Sequence, residues 1–245
     1  MSALDLRAVV TGANRGLGQA IAGCLINDYG AKVVMTARFP EPSMMDAVIG
    51  SDGADRTTLV ALDYTNADSI ARAAEVATQV LGHVDLLVNC AAINKADAWP
   101  PEASQGGLAH LQAEALTYLL NTNVVGPVMT CKAFLPLLRE ATSPCVINLS
   151  SSWASITNAN DTRSFGYTIS KAALNMATRK IAAELAEYAG TAVAIDPGWV
   201  RTRMGGPDAP TEPDDAAARL LHLVLSGQRA ISGRFLNADG EELPW

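Results

Sequence analysis

AVVTGANRGLG, residues 8–18, joins a short apolar run to a segment of helical periodicity that begins at Gln19. A glycine-rich turn between a strand and a helix lets backbone N–H groups approach a phosphate, and the helix N-terminus adds the positive end of its dipole. The spacing is GxxxGxG, and a tight turn without a ligand would also use glycine here. The position at a first strand-to-helix junction favours a dinucleotide site. Its candidate phosphate-binding residues are Gly12, Asn14, Arg15, Gly16, Leu17 and Gly18.

The rest of the chain alternates apolar runs of strand length with helix-length segments. Further strands are predicted at residues 32–37, 58–62, 84–89, 145–149, 192–195 and 233–236. Helices are predicted at residues 19–28, 66–81, 108–140, 168–188 and 213–225, the third as one helix or two with bends at Pro127 and Pro136. Such alternation requires right-handed crossovers and a parallel sheet. We therefore predict an α/β fold, a single Rossmann-type doubly wound parallel sheet with helices on both faces, in one domain of residues 1–245.

Composition and charge exclude several classes of protein. The 245 residues are 49% hydrophobic and 18% charged, which is enough for a full core and argues against a disordered chain. The formal net charge of −7 and a pI near 4.9 argue against nucleic-acid binding, which needs a basic face. No run approaches the ~20 apolar residues of a membrane span. Residues 1–7 carry two charges and do not fit a signal peptide.

The cysteines and histidines are too scattered for a metal site. Cysteines at 24, 90, 131 and 145 form no CxxC pair, and the three histidines form no HExxH. We predict no bound metal and free thiols in a reducing compartment, with the cytoplasm as the location.

Two arginines indicate which nicotinamide cofactor the glycine loop would take. In a doubly wound sheet, ligands bind beyond the carboxyl ends of the strands. Arg38 follows the second strand, where an acidic residue would meet the 2′-hydroxyl of NAD(H), and Arg15 lies in the glycine loop. Two guanidinium groups suit a 2′-phosphate. NADP(H) is therefore favoured over NAD(H), unless both arginines are simply solvated surface charges.

Tyr167 and Lys171 stand four residues apart, one turn along the same face of a predicted helix. A free phenol titrates near pH 10, so acid–base work at pH 7 needs a stabilised phenolate. A decrease of three pKa units corresponds to about 4 kcal/mol, which a lysine cation and an oxidised nicotinamide could supply together. An ordinary contact between two side chains on the helix surface is the alternative.

The serines at 150–152 end the fifth predicted strand, at the edge where the tyrosine is expected. A serine hydroxyl there can donate to a developing alkoxide. A hydrolase nucleophile would need a histidine base, and no GxSxG elbow is present.

Together these motifs resemble the short-chain dehydrogenase/reductase family, and the resemblance covers nearly the whole chain. It rests on the TGxxxGxG loop, the NCAA stretch at 89–92 where the family usually has NNAG, the Tyr-xxx-Lys pair, and DPGWVRT at 196–202. Within the family, the stretches NLSSSWASI, SKAALNM and PGWVRTRMGG are similar to the carbonyl-reductase branch that includes sniffer and C-factor proteins.

The resemblance implies four catalytic residues. Tyr167 would be the general acid in reduction and the base in oxidation, and Lys171 would bind the nicotinamide ribose and lower the tyrosine pKa. Ser151 would polarise the carbonyl, and Asn123 would hold a water in a proton relay to Lys171. Sequence alone does not separate Ser151 from Ser152.

The resemblance also implies a set of cofactor contacts and three departures from the family pattern. Besides the glycine loop, the expected contacts are Arg38, Asp63, Tyr64, Asn89, Ala91, Tyr167, Lys171, Pro197, Gly198, Val200 and Thr202. Cys90 and Ala92 replace the usual asparagine and glycine of NNAG, which could alter the fit of the cofactor. Arg203 stands where the branch usually has aspartate.

The predicted function is NADPH-dependent reduction of a ketone or aldehyde, or the reverse oxidation of a secondary alcohol. The alternatives are an NAD-dependent alcohol dehydrogenase working oxidatively and a non-enzymatic nucleotide-sensing or signalling protein on the same fold. The partner is a small carbonyl or alcohol, with neither nucleic acid nor membrane involved. Aromatic residues expected near the substrate are Trp99, Trp153, Phe165 and Trp199, and residues 199–212 are expected to form a mobile lid. Pairing of the long helices would give a homodimer or homotetramer, with a monomer left open.

Overall fold

The computed structural model describes residues 6–46, 48, 54–162 and 164–245. Seven strands form one parallel sheet in the order β3-β2-β1-β4-β5-β6-β7. The strands are β1 (Arg7–Val10), β2 (Lys32–Ala37), β3 (Thr57–Ala61), β4 (Leu86–Asn89), β5 (Cys145–Leu149), β6 (Thr191–Asp196) and β7 (Phe235–Asn237). The strand order reverses between β1 and β4, and in such sheets this switch point is where ligands bind. The predicted Rossmann-type fold is confirmed.

The helices connect successive strands. They are α1 (Gly16–Asn27), α2 (Ser43–Asp46), α3 (Ala67–Leu81), α4 (Glu102–Gln105), α5 (Ala113–Leu120), α6 (Gly126–Arg139), α7 (Phe165–Leu185) and α8 (Pro213–Gly227). None of the helices in the described part of the chain has both the length and the hydrophobicity that a bilayer crossing requires.

Both faces of the sheet are covered by apolar helix surfaces. On one face, Ile21 and Leu25 of α1 and Leu220 of α8 belong to the same buried cluster as the strand residues. On the other face, Phe134 of α6 packs with Leu87 of β4 in a second cluster. Strands that are covered on both faces do not alternate between apolar and polar residues, which explains the continuous apolar runs in the sequence.

The structure corrects several predicted boundaries. The helix predicted at 108–140 begins only at Ala113, and α5 and α6 are joined by a π-helical turn, Asn121–Val125. Pro127 is the second residue of α6, one residue beyond this turn, where the regular backbone ladder is already interrupted. The last strand begins after Gly233, whose φ of +71° does not fit an extended strand. The predictions for residues 1–5 and for part of the segment 38–50 lie outside the described residues.

A chain of buried side-chain hydrogen bonds crosses the sheet at its carboxyl edge. The hydroxyl groups of Thr11 and Tyr64 lie 2.6 Å apart, and Tyr64 donates to Asn89 over 3.0 Å. Asn89 Nδ2 donates to Asn148 Oδ1 (2.8 Å), and Asn148 Nδ2 donates to Thr178 Oγ1 (2.8 Å). The chain therefore fixes the ends of β1, β4 and β5 relative to one another.

Replacement of Asn148 by leucine, which has a similar volume, tests the importance of this chain. Asn148→Leu leaves an amide of Asn89 and the hydroxyl of Thr178 without their partner in a buried place, so we expect a loss of about 2 kcal/mol in the free energy of unfolding. Urea denaturation measures this, with the exposed Asn158→Leu as the control. Equal free energies of unfolding for both variants would show that these hydrogen bonds do not stabilise the protein.

Candidate active site

A cleft of about 1090 Å³ opens along the carboxyl edge of the sheet. Most residues predicted for the cofactor and the reaction line it: Gly12, Asn14, Arg15, Gly16, Leu17, Gly18, Arg38, Asp63, Tyr64, Ala91, Ser151, Tyr167, Lys171, Pro197, Gly198, Val200 and Thr202. Asn89 and Asn123 are buried outside this lining. Tyr118 and Asp196 line the cleft although no site role was predicted for them, and Arg203 lines it as part of the segment 199–212.

The glycine loop has a geometry that side chains would block. Gly12 has a φ of +65°, and a Cβ there would lie 2.9 Å from the Cα of Ala91. A Cβ on Gly18 would collide with the carbonyl oxygen of Gly12. The first turn of α1 carries no acidic residue and no side-chain cap. Its free N–H groups and dipole therefore suit an anionic group in the cleft, such as the diphosphate of a dinucleotide.

Three arginines lie at the rim of the cleft. Arg15 and Arg38, both predicted, are joined by Arg203. Partial burial and then the neighbouring charges of Arg203 and Arg38 lower the pKa of Arg15, against an opposing effect of Asp97. This side of the cleft is therefore locally cationic in a chain whose net charge is −7.

Lys171 is almost completely buried, with 3% of its surface exposed. Its Nζ donates to the carbonyl oxygen of Leu149 (2.7 Å) and lies 5.6 Å from the ring centroid of Tyr167. Burial lowers the pKa of Lys171 to about 8, with Cys90 and Asp196 acting in the opposite direction. The helical spacing of the two residues thus brings both to the floor of the same cleft.

The phenol of Tyr167 is strongly biased to its protonated form. Burial raises its pKa to about 12; a hydrogen bond with Ser151 lowers it, and the negative charge of Asp196 raises it. The decrease expected from the sequence is therefore not produced by the protein groups alone. A neutral phenol can donate a proton, which is the requirement for a general acid.

The structure separates the three serines that end β5. Ser150 is buried, and its hydroxyl donates to Asn175 Oδ1 (2.6 Å). Ser151 Oγ accepts from the backbone N–H of Trp153 (3.3 Å) and interacts with Tyr167. Ser152 is exposed. Ser151 is the serine paired with the tyrosine.

Asn123 lies in the π-helical turn, and its side chain faces the segment after β4. Its Oδ1 accepts from the N–H of Ile93 (2.9 Å), while Nδ2 donates to the carbonyl oxygen of Ile93 (2.7 Å) and to Ser170 Oγ (3.0 Å). Both polar atoms of the amide are thus hydrogen-bonded, and they hold Ile93 and Ser170 together.

Comparison with known proteins agrees with this geometry. The family model described as short chain dehydrogenase matches residues 7–213. The chain belongs to the short-chain dehydrogenase family, and it is an oxidoreductase.

One curated relative and two solved structures show how similar the chain is to other proteins. The C-signal of Myxococcus xanthus is 32% identical over 164 residues, which are 67% of this chain and 94% of the relative. The structure of the carbonyl reductase Sniffer of D. melanogaster superposes with a TM-score of 0.86 at 26% identity, covering 98% of this chain and 99% of that one. The NADPH-bound carbonyl reductase from chicken fatty liver gives a TM-score of 0.86 at 28% identity, covering 99% and 100%.

The substitutions in the NNAG motif of this short-chain dehydrogenase face the cleft. Cys90 and Ala92 both line it. Burial raises the pKa of the Cys90 thiol to about 12, so the thiol is protonated at neutral pH. Among the predicted aromatic residues, Trp153 and Trp199 line the cleft, while Trp99 packs against Tyr118 with 5.8 Å between ring centroids.

The segment 199–212, predicted to be a mobile lid, is tied together by its own hydrogen bonds. Val200 and Thr211 form a β-bridge, and Arg201 pairs with Glu212. Trp199 Nε1 donates to the carbonyl oxygen of Gly205 (2.7 Å). These bonds give the segment a defined shape beside the cleft.

The buried ammonium of Lys171 makes stability depend on pH in a definite direction. With a folded pKa of about 8 and an unfolded pKa near 10.4, the unfolded chain binds more protons between these values, so raising the pH through this window favours the folded state. We expect the wild type to gain stability relative to Lys171→Met between about pH 7 and 10.

Urea denaturation at a series of pH values measures this difference. Lys180→Met, at an exposed position on the same helix, is the matched control. A difference between wild type and Lys171→Met that stays constant with pH would contradict the assignment.

Proposed function

We propose that the protein is an NADPH-dependent carbonyl reductase, with residues 1–245 acting as one catalytic domain. The observation that carries the proposal is the presence of a protonated Tyr167, its partner Ser151 and the buried Lys171 in the same cleft as an uncapped glycine loop. The substrate class is a ketone or aldehyde, or a secondary alcohol in the reverse direction.

The lining of the cleft fits a nicotinamide dinucleotide, since the glycine loop lies at its wall and the loop's close approach to Ala91 and its own tight turn leave no room for a Cβ on Gly12 or Gly18. Backbone groups of Gly12, Gly16 and Leu17 would hold the diphosphate, and Lys171 the ribose next to nicotinamide. Asp63 would face the adenine end. The remaining predicted contacts, which follow β4 and β6, are Ala91, Pro197, Gly198, Val200 and Thr202. When bound, the cofactor supplies or accepts the hydride.

The protein groups would act on the carbonyl oxygen. Ser151 would donate a hydrogen bond to it, which stabilises the negative charge that develops during reduction. Tyr167 would then donate its proton to the same oxygen, and a pKa of about 12 means that the phenol still carries this proton at neutral pH. Asn123 would act indirectly, because its bonds to Ile93 position the segment that lines the cleft.

Two observations support NADP(H) as the cofactor. Arg38 lines the cleft at the end of β2, where a 2′-phosphate is met in dinucleotide-binding sheets, and Arg15 lines it in the glycine loop. The chicken carbonyl reductase, similar over the whole chain, was crystallised with NADPH bound.

Tyr167→Phe tests the mechanism. Removing the phenolic proton should reduce turnover of carbonyl substrates by ~10²- to 10⁴-fold while NADPH still binds. Oxidation of NADPH is followed by absorbance with a panel of ketones and aldehydes. Tyr188→Phe, whose ring stacks on Arg139 away from the cleft, is the control. Unchanged turnover in Tyr167→Phe would refute the proposed role.

Arg38→Asp tests the choice of cofactor. Loss of a charge-assisted hydrogen bond to the 2′-phosphate should weaken NADPH binding by roughly 10-fold or more and leave NADH binding nearly unchanged. Fluorescence titration with both cofactors gives the two dissociation constants. A wild type without preference for NADPH would favour an NAD-dependent alcohol dehydrogenase instead.

A further inference from the structure

Arg203 stands next to the residue that touches the glycine loop. Its neighbour Thr202 packs on Gly16, where a Cβ would lie 3.1 Å from Thr202 Cγ2. Gly16 is the first residue of α1. The backbone that carries Arg203 therefore lies beside the start of this helix, and both Arg203 and Arg15 line the cleft.

The guanidinium of Arg203 is exposed and has no hydrogen-bond or ion-pair partner among the residues that the structure describes. Other arginines in the C-terminal part differ in this respect. Arg201 pairs with Glu212, and Arg219 pairs with Asp239. Arg203 instead lies within electrostatic range of a like charge, because after burial it contributes most to lowering the pKa of Arg15, ahead of Arg38. Two cations held close together are stabilised by an anion between them.

The position of Arg203 distinguishes two phosphate sites in the cleft. Arg38 follows β2, where the 2′-phosphate is expected. The contact of Thr202 with Gly16 brings the backbone next to Arg203 to the start of α1, where a helix N-terminus binds a diphosphate.

We propose that Arg203 binds the diphosphate of the nicotinamide cofactor, the part that NADPH and NADH share. The segment that carries it is suited to this task. The carbonyl oxygen of Thr202 accepts from the N–H of Gly206 (2.8 Å), and its hydroxyl accepts from the N–H of Gly205 (3.1 Å). These hydrogen bonds close a turn that holds the backbone of Arg203 in place. A diphosphate bound by Arg203 would therefore connect this turn with the glycine loop.

Because the inference rests on the proposed function, binding is measured directly, without turnover. NADPH and NADH are titrated into the wild type, Arg203→Gln, Arg203→Lys and Arg38→Gln, with fluorescence as the signal. Arg203→Gln should weaken both cofactors by the same factor, about tenfold, and leave their ratio unchanged. Arg203→Lys should restore part of the affinity, and Arg38→Gln should affect NADPH alone.

Arg219→Gln, in α8 and not among the residues that line the cleft, controls for the loss of one positive charge. Thermal unfolding shows that each variant is folded. Unchanged affinity in Arg203→Gln, or a loss confined to NADPH, would overturn the diphosphate assignment while the proposed function stands. A wild type that binds neither cofactor would overturn the proposed function itself.

Discussion

The buried hydrogen bonds from Thr11 through Tyr64, Asn89 and Asn148 to Thr178 are the constraint on which the cleft depends. Buried polar groups are costly unless they are paired, so these side chains favour the alignment of the strand ends in which all of these bonds form. The glycine loop, the segment after β4 and the serines after β5 all start from those ends. Tyr64 and Asn89, which were expected from the sequence to contact the cofactor, thus have a structural role as members of this series of hydrogen bonds.

Burial has opposite effects on the two central titratable groups and gives them complementary states. It lowers the pKa of Lys171 and raises that of Tyr167, because in each case the neutral form is the one less penalised by a low dielectric. Asp196, at the end of β6, raises both values. It therefore helps to keep the lysine charged and the tyrosine protonated, and both states suit the donation of a proton.

Most of the features that could be predicted depend on short stretches of the sequence. The glycine loop before α1 and the four-residue spacing of Tyr167 and Lys171 are short-range features, and the structure brings both to the cleft. Features made by distant segments could not be predicted. The π-helical turn at Asn121–Val125 and the bonds of Asn123 to Ile93 need two parts of the chain to meet. The proximity of Arg203 to Arg15 is likewise a product of folding.

The segment 199–212 closes on itself through the bridge of Val200 with Thr211 and the pairing of Arg201 with Glu212. Its shape is thus encoded largely within its own residues, while the strand ends are aligned by a separate set of bonds. Two of its residues also attach it to the rest of the molecule: Val200 belongs to the buried cluster beneath the sheet, and Thr202 packs on Gly16. An exchange of the residues beyond Arg203, with these attachments kept, would alter the wall of the cleft and leave the support of the cofactor site in place.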